Sequence, residues 1–272
     1  MRLTTVGLDA DDTLWHNETI FRLSLARFAQ LLEPYCEAGD LEARLARVER
    51  RNLRLYGYGV KGFTLSLIET AMEAAGEAEI GPVIRDILAA GREMLSHPVE
   101  PLPQVEQTVA RLAGRYRLVL ITKGDLMDQE RKLAASGLGD HFAAVEIVSE
   151  KTVQTYERVF ERHGTGPSQA AMAGNFLRSD ILPALAAGAL AAHIPYPLTW
   201  TTRTLIRRST MRGSASSPRS PSFPPGWSVG KGEGALRLGR IEGLTSPPCA
   251  ATIRSSTRSN RDCGFPKSSA RR

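Results

Sequence analysis

Hydrophobic and polar positions divide the chain into regions of different period. The first apolar run, residues 3–8, is short and stops at Asp9, Asp11 and Asp12. That is the pattern of a buried strand running into an acidic loop. From residue 16 to residue 97 the spacing becomes helical. Phe21, Leu25, Phe28 and Leu32 recur at intervals of four, three and four, as one face of a helix requires. Leu41, Leu45 and Val48 repeat the pattern behind Asp40, which suits an N-cap. Leu65, Ile68 and Met72 mark a third helix, and Ile84, Leu88 and Leu95 a fourth. Residues 56–63, YGYGVKGF, read as a glycine-rich connection between the second and third.

Residues 98–200 alternate short apolar runs with amphipathic stretches. The strands predicted are 117–122, 143–148, 170–174 and 191–194, with helices between them. This order predicts an α/β fold: a doubly wound, Rossmann-like parallel sheet with right-handed crossovers. Its core is 1–15 with 98–200, and 16–97 forms a helical insert. Ligands of such sheets bind beyond the carboxyl ends of the strands. Asp9, Thr122 and Asn175 all fall at such ends.

After Trp200 both periods disappear. Residues 201–272 hold 13 Ser, 12 Arg, 8 Gly and 7 Pro, a composition that buries too little apolar surface to offset its ordering entropy. The expectation for this tail is disorder. It also accounts for the net charge of +6, because it carries 14 Lys and Arg against 3 Asp and Glu. The first 200 residues are mildly acidic, with 21 basic and 26 acidic residues. A basic arm attracts nucleic acid nonspecifically and salt-sensitively. Its arginines alternate with Ser and Pro rather than with aromatics, so a nucleic-acid partner is not the favoured reading. Cys36, Cys249 and Cys263 are too few and too scattered for a disulfide framework or a zinc site. No run of 18 apolar residues marks a membrane span. A cytoplasmic location is expected, and nothing in the sequence sets an oligomeric state.

Hydrolysis of a phosphate ester needs a nucleophile, a proton donor for the leaving group and positive charge around the phosphoryl oxygens. A carboxylate can be that nucleophile, through an acyl-phosphate that water then cleaves. Asp9 and Asp11, two residues apart behind a strand, can approach one pocket. This DxDxT segment resembles the first motif of the haloacid dehalogenase superfamily. The resemblance implies that Asp9 attacks phosphorus, Asp11 serves as general acid and then base, and Thr13 supports the loop. Thr122 closing an apolar strand is similar to the second motif, which implies that its hydroxyl and the backbone N–H groups of Lys123 and Gly124 hold phosphoryl oxygens. Lys151 in SEKT matches the charge-offsetting lysine of the third. GNFLRSD matches the fourth. There Asp180 is implied to bind Mg2+ with a carboxylate oxygen of Asp9 and the carbonyl of Asp11. Asn175 stands where many members carry Asp, and is expected outside the metal's first shell.

The four motifs occur in the family's order across about 170 residues. The helical insert corresponds to the family's small α-helical cap, which closes over the site and selects substrate. YGYGVKGF, ITKGD, SEKT and GNFLRSDILPAL further resemble a bacterial subgroup of uncharacterised hydrolases. The expected activity is a Mg2+-dependent phosphatase acting on a small phosphorylated metabolite, with Lys61 as a candidate contact to the substrate's far end. A phosphomutase shares the cap and both aspartates. The superfamily's dehalogenases use an aspartate nucleophile without metal and lack the second acid, so Asp11 and Asp180 favour phosphate chemistry. The resemblance ends at Trp200, where an arginine- and serine-rich stretch begins, as a reading-frame shift in a GC-rich gene would produce.

Overall fold

A computed structural model describes residues 2–198. The expectations for 201–272, disorder and frameshift origin, lie outside the described residues. Five parallel strands form one sheet: β1 (Thr5–Leu8), β2 (Arg117–Lys123), β3 (Ala144–Val148), β4 (Ala170–Gly174) and β5 (Leu190–His193), in the order β3-β2-β1-β4-β5. β1 lies at the centre, with Leu8 level with Leu120 of β2 and Ala173 of β4. The chain builds outward from β1 to β2 and β3 on one side, then returns to β4 and β5 on the other. The carboxyl ends of β1, β2 and β4 therefore flank the reversal of strand order, where such sheets bind ligands.

Helices cover both faces, so successive residues of β1, β4 and the middle of β2 are buried and read as apolar runs, while the edge strand β3 leaves Val145 exposed. Val6, Leu8, Leu118 and Leu120 pack under Val105, Val109 and Leu112 of one helix. Val119, Ile121 and Met172 pack with Tyr156, Val159 and Phe160 of another on the opposite face.

After β1 the chain leaves the sheet for an insert of four helices, α1 (Glu18–Leu32), α2 (Ala38–Tyr56), α3 (Val60–Ala75) and α4 (Gly81–Ser96). They enclose a core of their own built on Phe28, Leu32, Leu45, Phe63, Leu67, Ile87 and Met94. The helices that flank the sheet are α5 (Val105–Ala113), α6 (Leu126–Ser136), α7 (Val153–His163) and the short α8 (Leu182–Ala186). Among the described residues no helix is long and apolar enough to cross a membrane.

Several local expectations change. Asp40 does not cap α2: the helix begins at Ala38, and Asp40 sits in its first turn, paired with Arg44 at 2.7 Å. The glycine-rich connection shrinks to residues 57–59, because Val60 already starts α3 and Lys61 belongs to its first turn. The buried stripe of α3 is Val60, Phe63, Leu67 and Ala71, while Leu65 and Met72 are 41% and 55% exposed. α4 likewise buries Val83, Ile87 and Met94 and leaves Leu88 outside.

The α3 face is hidden in the sequence because it includes hydroxyl residues. Thr64, Ser66 and Thr70 are buried, each donating to the carbonyl four residues earlier (Val60, Gly62 and Ser66) at 2.7–2.9 Å. A hydroxyl satisfied in this way can be buried like a small apolar group.

Candidate active site

Asp9 follows β1 directly, its backbone N–H donating to the Ala173 carbonyl at 2.9 Å. The carboxylate is almost fully buried. Oδ2 accepts the Thr13 hydroxyl at 3.1 Å, and Oδ1 meets Lys151 Nζ at 2.5 Å. Lys151 stands between β3 and α7. Thr152 next to it caps α7 by accepting from the Thr155 N–H at 3.2 Å, and this fixes where the lysine emerges.

The same ammonium donates to Asp180 Oδ1 at 2.8 Å. Asp180 lies on a single π-helical turn, Leu177–Ile181, that leads into α8. Such turns often mark functional sites. Its Oδ2 accepts the Phe176 N–H at 2.8 Å, and Ser179 Oγ donates to Oδ1 at 3.3 Å. Gly174 makes room for it, since a Cβ there would come within 2.6 Å of the Asp180 carboxyl. Thus Asp9, Thr13, Lys151 and Asp180, read from three separate motifs, form one buried cluster.

Two buried carboxylates share one ammonium, so the cluster has an excess of negative charge. Burial, reinforced by the Asp180 charge and opposed by Lys151, pushes the Asp9 carboxyl up to about 7. Burial works against the Lys151 charge as well, but Asp180 and Asp9 together hold it above the usual lysine value.

Asp11 occupies a neighbouring cluster. Its Oδ1 accepts from Trp15 Nε1 at 2.8 Å and Lys132 Nζ at 3.1 Å, and its Oδ2 from Gln129 Nε2 at 2.8 Å. Burial pushes this carboxyl up, but Lys132 and the Gln129 and Trp15 hydrogen bonds outweigh it and bring it below the ordinary value.

Thr122 and Lys123 end β2, with the Thr122 hydroxyl 3.4 Å from the Lys123 carbonyl. Gly124 adopts φ +148°, and a Cβ there would lie 2.7 Å from Gln129 Nε2. A side chain is excluded on both counts. Asn175 follows β4, and its carbonyl accepts His193 Nε2 at 2.9 Å.

Lys61 joins neither cluster. It bridges from α3 to Asp125, the N-cap of α6, at 3.0 and 3.1 Å. Beside it, Tyr58 donates to Glu150 at 2.7 Å, and Lys123 Nζ lies 4.0 Å above the Tyr58 ring. The loop before α3 is thereby docked on the loops after β2 and β3. Where the insert meets the sheet, a cavity of about 20 Å³ bordered by Trp15, Asn17, Val60 and Lys132 remains, room for about one water. A larger cavity of about 420 Å³ lies at the amino end of the sheet, lined by Arg2, Leu3 and Tyr116, away from the carboxylates.

Gln129, Lys132 and Trp15 escape the sequence reading. In α6, LMDQERKLAAS, the buried residues are Asp128, Gln129 and Lys132, while Leu126 and Met127 are exposed. Their polarity makes them read as a solvated face, and no periodicity distinguishes them.

A family model for haloacid dehalogenase-like hydrolases matches residues 3–188. A haloacid dehalogenase-like family hydrolase from Xanthomonas campestris is 46% identical, with a TM-score of 0.68 over 71% of this chain and 82% of that one. The chain belongs to the haloacid dehalogenase-like hydrolases. The HAD-hydrolase YfnB from Bacillus subtilis, solved bound to magnesium, superposes with a TM-score of 0.51 at 17% identity, covering 71% of this chain and 87% of its own. A dehalogenase solved as an intermediate complex gives 0.50 at 15%, covering 72% and 87%. These two likenesses extend to the fold alone. No curated protein matches the chain.

Magnesium is common in haloacid dehalogenase-like hydrolases. Among the described residues no three His, Cys, Asp or Glu side chains gather around one point. The donor set is instead two carboxylates, Asp9 and Asp180, that already converge on one cation. Hard oxygen donors with surplus negative charge fit Mg2+, which retains several waters and needs few protein ligands.

Proposed function

We propose that this haloacid dehalogenase-like hydrolase is a Mg2+-dependent phosphatase acting on a small phosphorylated metabolite. The observation that carries the reading is the shared contact of Asp9 and Asp180 with Lys151 Nζ. Both carboxylates reach one cation at the carboxyl edge of the sheet, with a second aspartate two residues from the first.

In this mechanism Asp9 Oδ attacks phosphorus, forming an acyl-phosphate as the ester P–O bond breaks. Thr13 holds the other Asp9 oxygen and so orients the attack. Asp11 protonates the departing oxygen, then takes a proton from the water that cleaves the acyl-phosphate. The Thr122 hydroxyl and the backbone N–H groups of Lys123 and Gly124 receive phosphoryl oxygens, and Lys151 offsets their charge. Asp9, Asp180 and the Asp11 carbonyl would hold magnesium, whose charge neutralises the transferring group. The insert, docked through Tyr58 and Lys61, serves as a cap that excludes bulk water. Lys61 is released to a substrate's far end only if it leaves Asp125.

One observation favours a second reading, a dehalogenase. The fold is shared with a dehalogenase solved as an intermediate complex, and a halide departing from an aspartate nucleophile needs no proton. Release of phosphate from sugar phosphates, nucleoside monophosphates and flavin mononucleotide, with and without Mg2+, is compared with chloride release from 2-chloropropionate. Mg2+-dependent phosphate release is expected. Chloride release alone would transfer the chain to the second reading.

Cation binding has a readout independent of turnover. Asp9 titrates near 7 in the fold against an ordinary 3.8. A carboxyl raised on folding adds stability that is fully present below its unfolded value and is lost as pH rises through its folded value. In metal-free protein the melting temperature of wild type should therefore fall relative to Asp9→Asn from about pH 4 to about pH 7, and the gap should stay level above that. At pH 8, Mg2+ at one hundred times its dissociation constant should stabilise wild type by about 2.7 kcal/mol and leave Asp180→Asn little changed. Equal stabilisation of both proteins would remove Asp180 from the ligand set.

A further inference from the structure

The two oxygens of Asp11 are held unequally. A carboxylate oxygen accepts about two hydrogen bonds. Oδ1 has both, from Trp15 Nε1 at 2.8 Å and Lys132 Nζ at 3.1 Å. Oδ2 has one, from Gln129 Nε2 at 2.8 Å, which leaves it with an open position among the described residues. Gln129 is itself fixed, because the same Nε2 donates to the Lys123 carbonyl at 3.1 Å. The carboxyl plane is thus pinned at three points.

Lys132 reaches further than Asp11. Its Nζ donates to Asn17 Oδ1 at 2.7 Å, the shortest of its contacts, and lies 3.5 Å from Asp128. Arg131 also engages Asp128, at 2.8 Å, so that carboxylate does not depend on Lys132 alone. Asn17 is the residue immediately before α1, where the chain leaves the sheet for the insert. Its backbone N–H donates to Asp12 Oδ1 at 2.9 Å, which anchors the crossing on the acidic loop. One buried ammonium therefore touches both the Asp11 carboxylate and the start of the insert. A movement of the insert that carries Asn17 with it must alter the grip on Asp11.

We propose that Lys132 is a positioning residue that occupies Asp11 Oδ1, presents Oδ2 as the proton-carrying oxygen, and ties that presentation to the insert through Asn17. The inference rests on the phosphatase reading. As the Asp9 oxygen bonds to phosphorus and the ester P–O bond breaks, the proton on Oδ2 passes to the departing oxygen. Asp11 is left as a carboxylate whose negative charge Lys132 and Trp15 already face. In the second half, water gives its proton back to Oδ2 as its oxygen attacks the acyl-phosphate, and Asp9 is regenerated.

The test compares phenyl phosphate with 4-nitrophenyl phosphate. Phenoxide is the more basic leaving group and depends more on a proton. Lys132→Met is expected to lower kcat for both esters, and to lower the phenyl to 4-nitrophenyl ratio about tenfold, a part of the roughly 10²–10⁴-fold that general acid catalysis supplies. Lys132→Arg should restore most of the ratio. Asp11→Asn combined with Lys132→Met should be no worse than Asp11→Asn alone, since Lys132 acts through Asp11. Asn17→Ala removes only the tie to the insert and keeps the charge pair, so it remains informative if Lys132→Met folds poorly. Its ratio should fall in the same direction by about threefold, a smaller part of the same contribution. A ratio unchanged in both single variants, or a double variant whose losses multiply, overturns the inference while leaving the phosphatase intact. Turnover that survives Asp9→Asn, or no turnover of either ester by wild type, overturns the phosphatase reading and this inference with it.

Discussion

Asp9→Asn is expected to reduce phosphate release by on the order of 10⁴-fold or more, the scale seen when a covalent nucleophile is removed. The substitution keeps the volume of the side chain and its contact with Thr13, so the geometry around it should persist. With the amide oxygen on Thr13, an NH2 group stands where the attacking oxygen was, and without that oxygen no acyl-phosphate forms. The stability comparison makes the result specific, because Asp9→Asn is expected to be more stable than wild type above pH 7 when metal is absent. A protein that is inactive and more stable has lost chemistry rather than fold. Turnover within a few fold of wild type would remove Asp9 from the mechanism.

Lys151→Met should have the largest effect on the fold itself. The lysine side chain is 2% exposed and faces Asp9 and Asp180, which are exposed by 10% and 1%. Removing one partner of a buried charge cluster leaves uncompensated charge, at a cost of about 3–5 kcal/mol. For a domain of this size that corresponds to a fall of roughly 10 °C in melting temperature. The loss should be greatest at neutral pH and above, and smaller in acid, where Asp9 is protonated. Asp9→Asn placed on top of Lys151→Met should recover part of it, because only Asp180 then remains charged, with Phe176 N–H and Ser179 Oγ as donors. Thermal unfolding at pH 7.5 without metal decides the matter. A Lys151→Met protein as stable as wild type would mean that the ammonium does not balance the two carboxylates.

The two variants probe different links of the same arrangement. In the proposed mechanism Asp9 supplies the reacting oxygen, and Lys151 offsets its negative charge inside the protein. Both depend on the crossovers that bring the ends of β1, β3 and β4 to one edge. Residues 9, 151 and 180 are far apart in the chain, and their contact follows from the strand order alone.

Much of this was legible in the chain. The five strands stand where apolar runs stand, because the central strands β1, β2 and β4 are covered on both faces and must be largely apolar. Polar residues at the ends of such runs are conspicuous for the same reason, and Asp9, Thr122 and Asn175 were visible there, whereas Lys151 and Asp180 came from the resemblance to the family's motifs. The existence of the insert's four helices, α1 to α4, followed from their spacing. Their buried faces did not follow in every case. On α3 the apolar residues fall on two adjacent stripes, and the buried one includes Thr64, Ser66 and Thr70, whose hydroxyls are satisfied by the helix itself. Only packing against α2 and α4 selects that stripe.

The sequence by itself determined the α/β class and the order of the strands' acidic and hydroxyl ends, and its motifs resemble those of a hydrolase family. Local pattern suffices for these because burial of a strand or helix is written in its own residues. Tertiary structure alone decided that Lys151 lies between Asp9 and Asp180, that Lys61 pairs with Asp125, and that Gln129 and Lys132 close around Asp11. Those residues are polar, and polarity is compatible with solvent or with a buried partner. Which of the two holds depends on what the rest of the chain brings opposite them, and no local spacing records that.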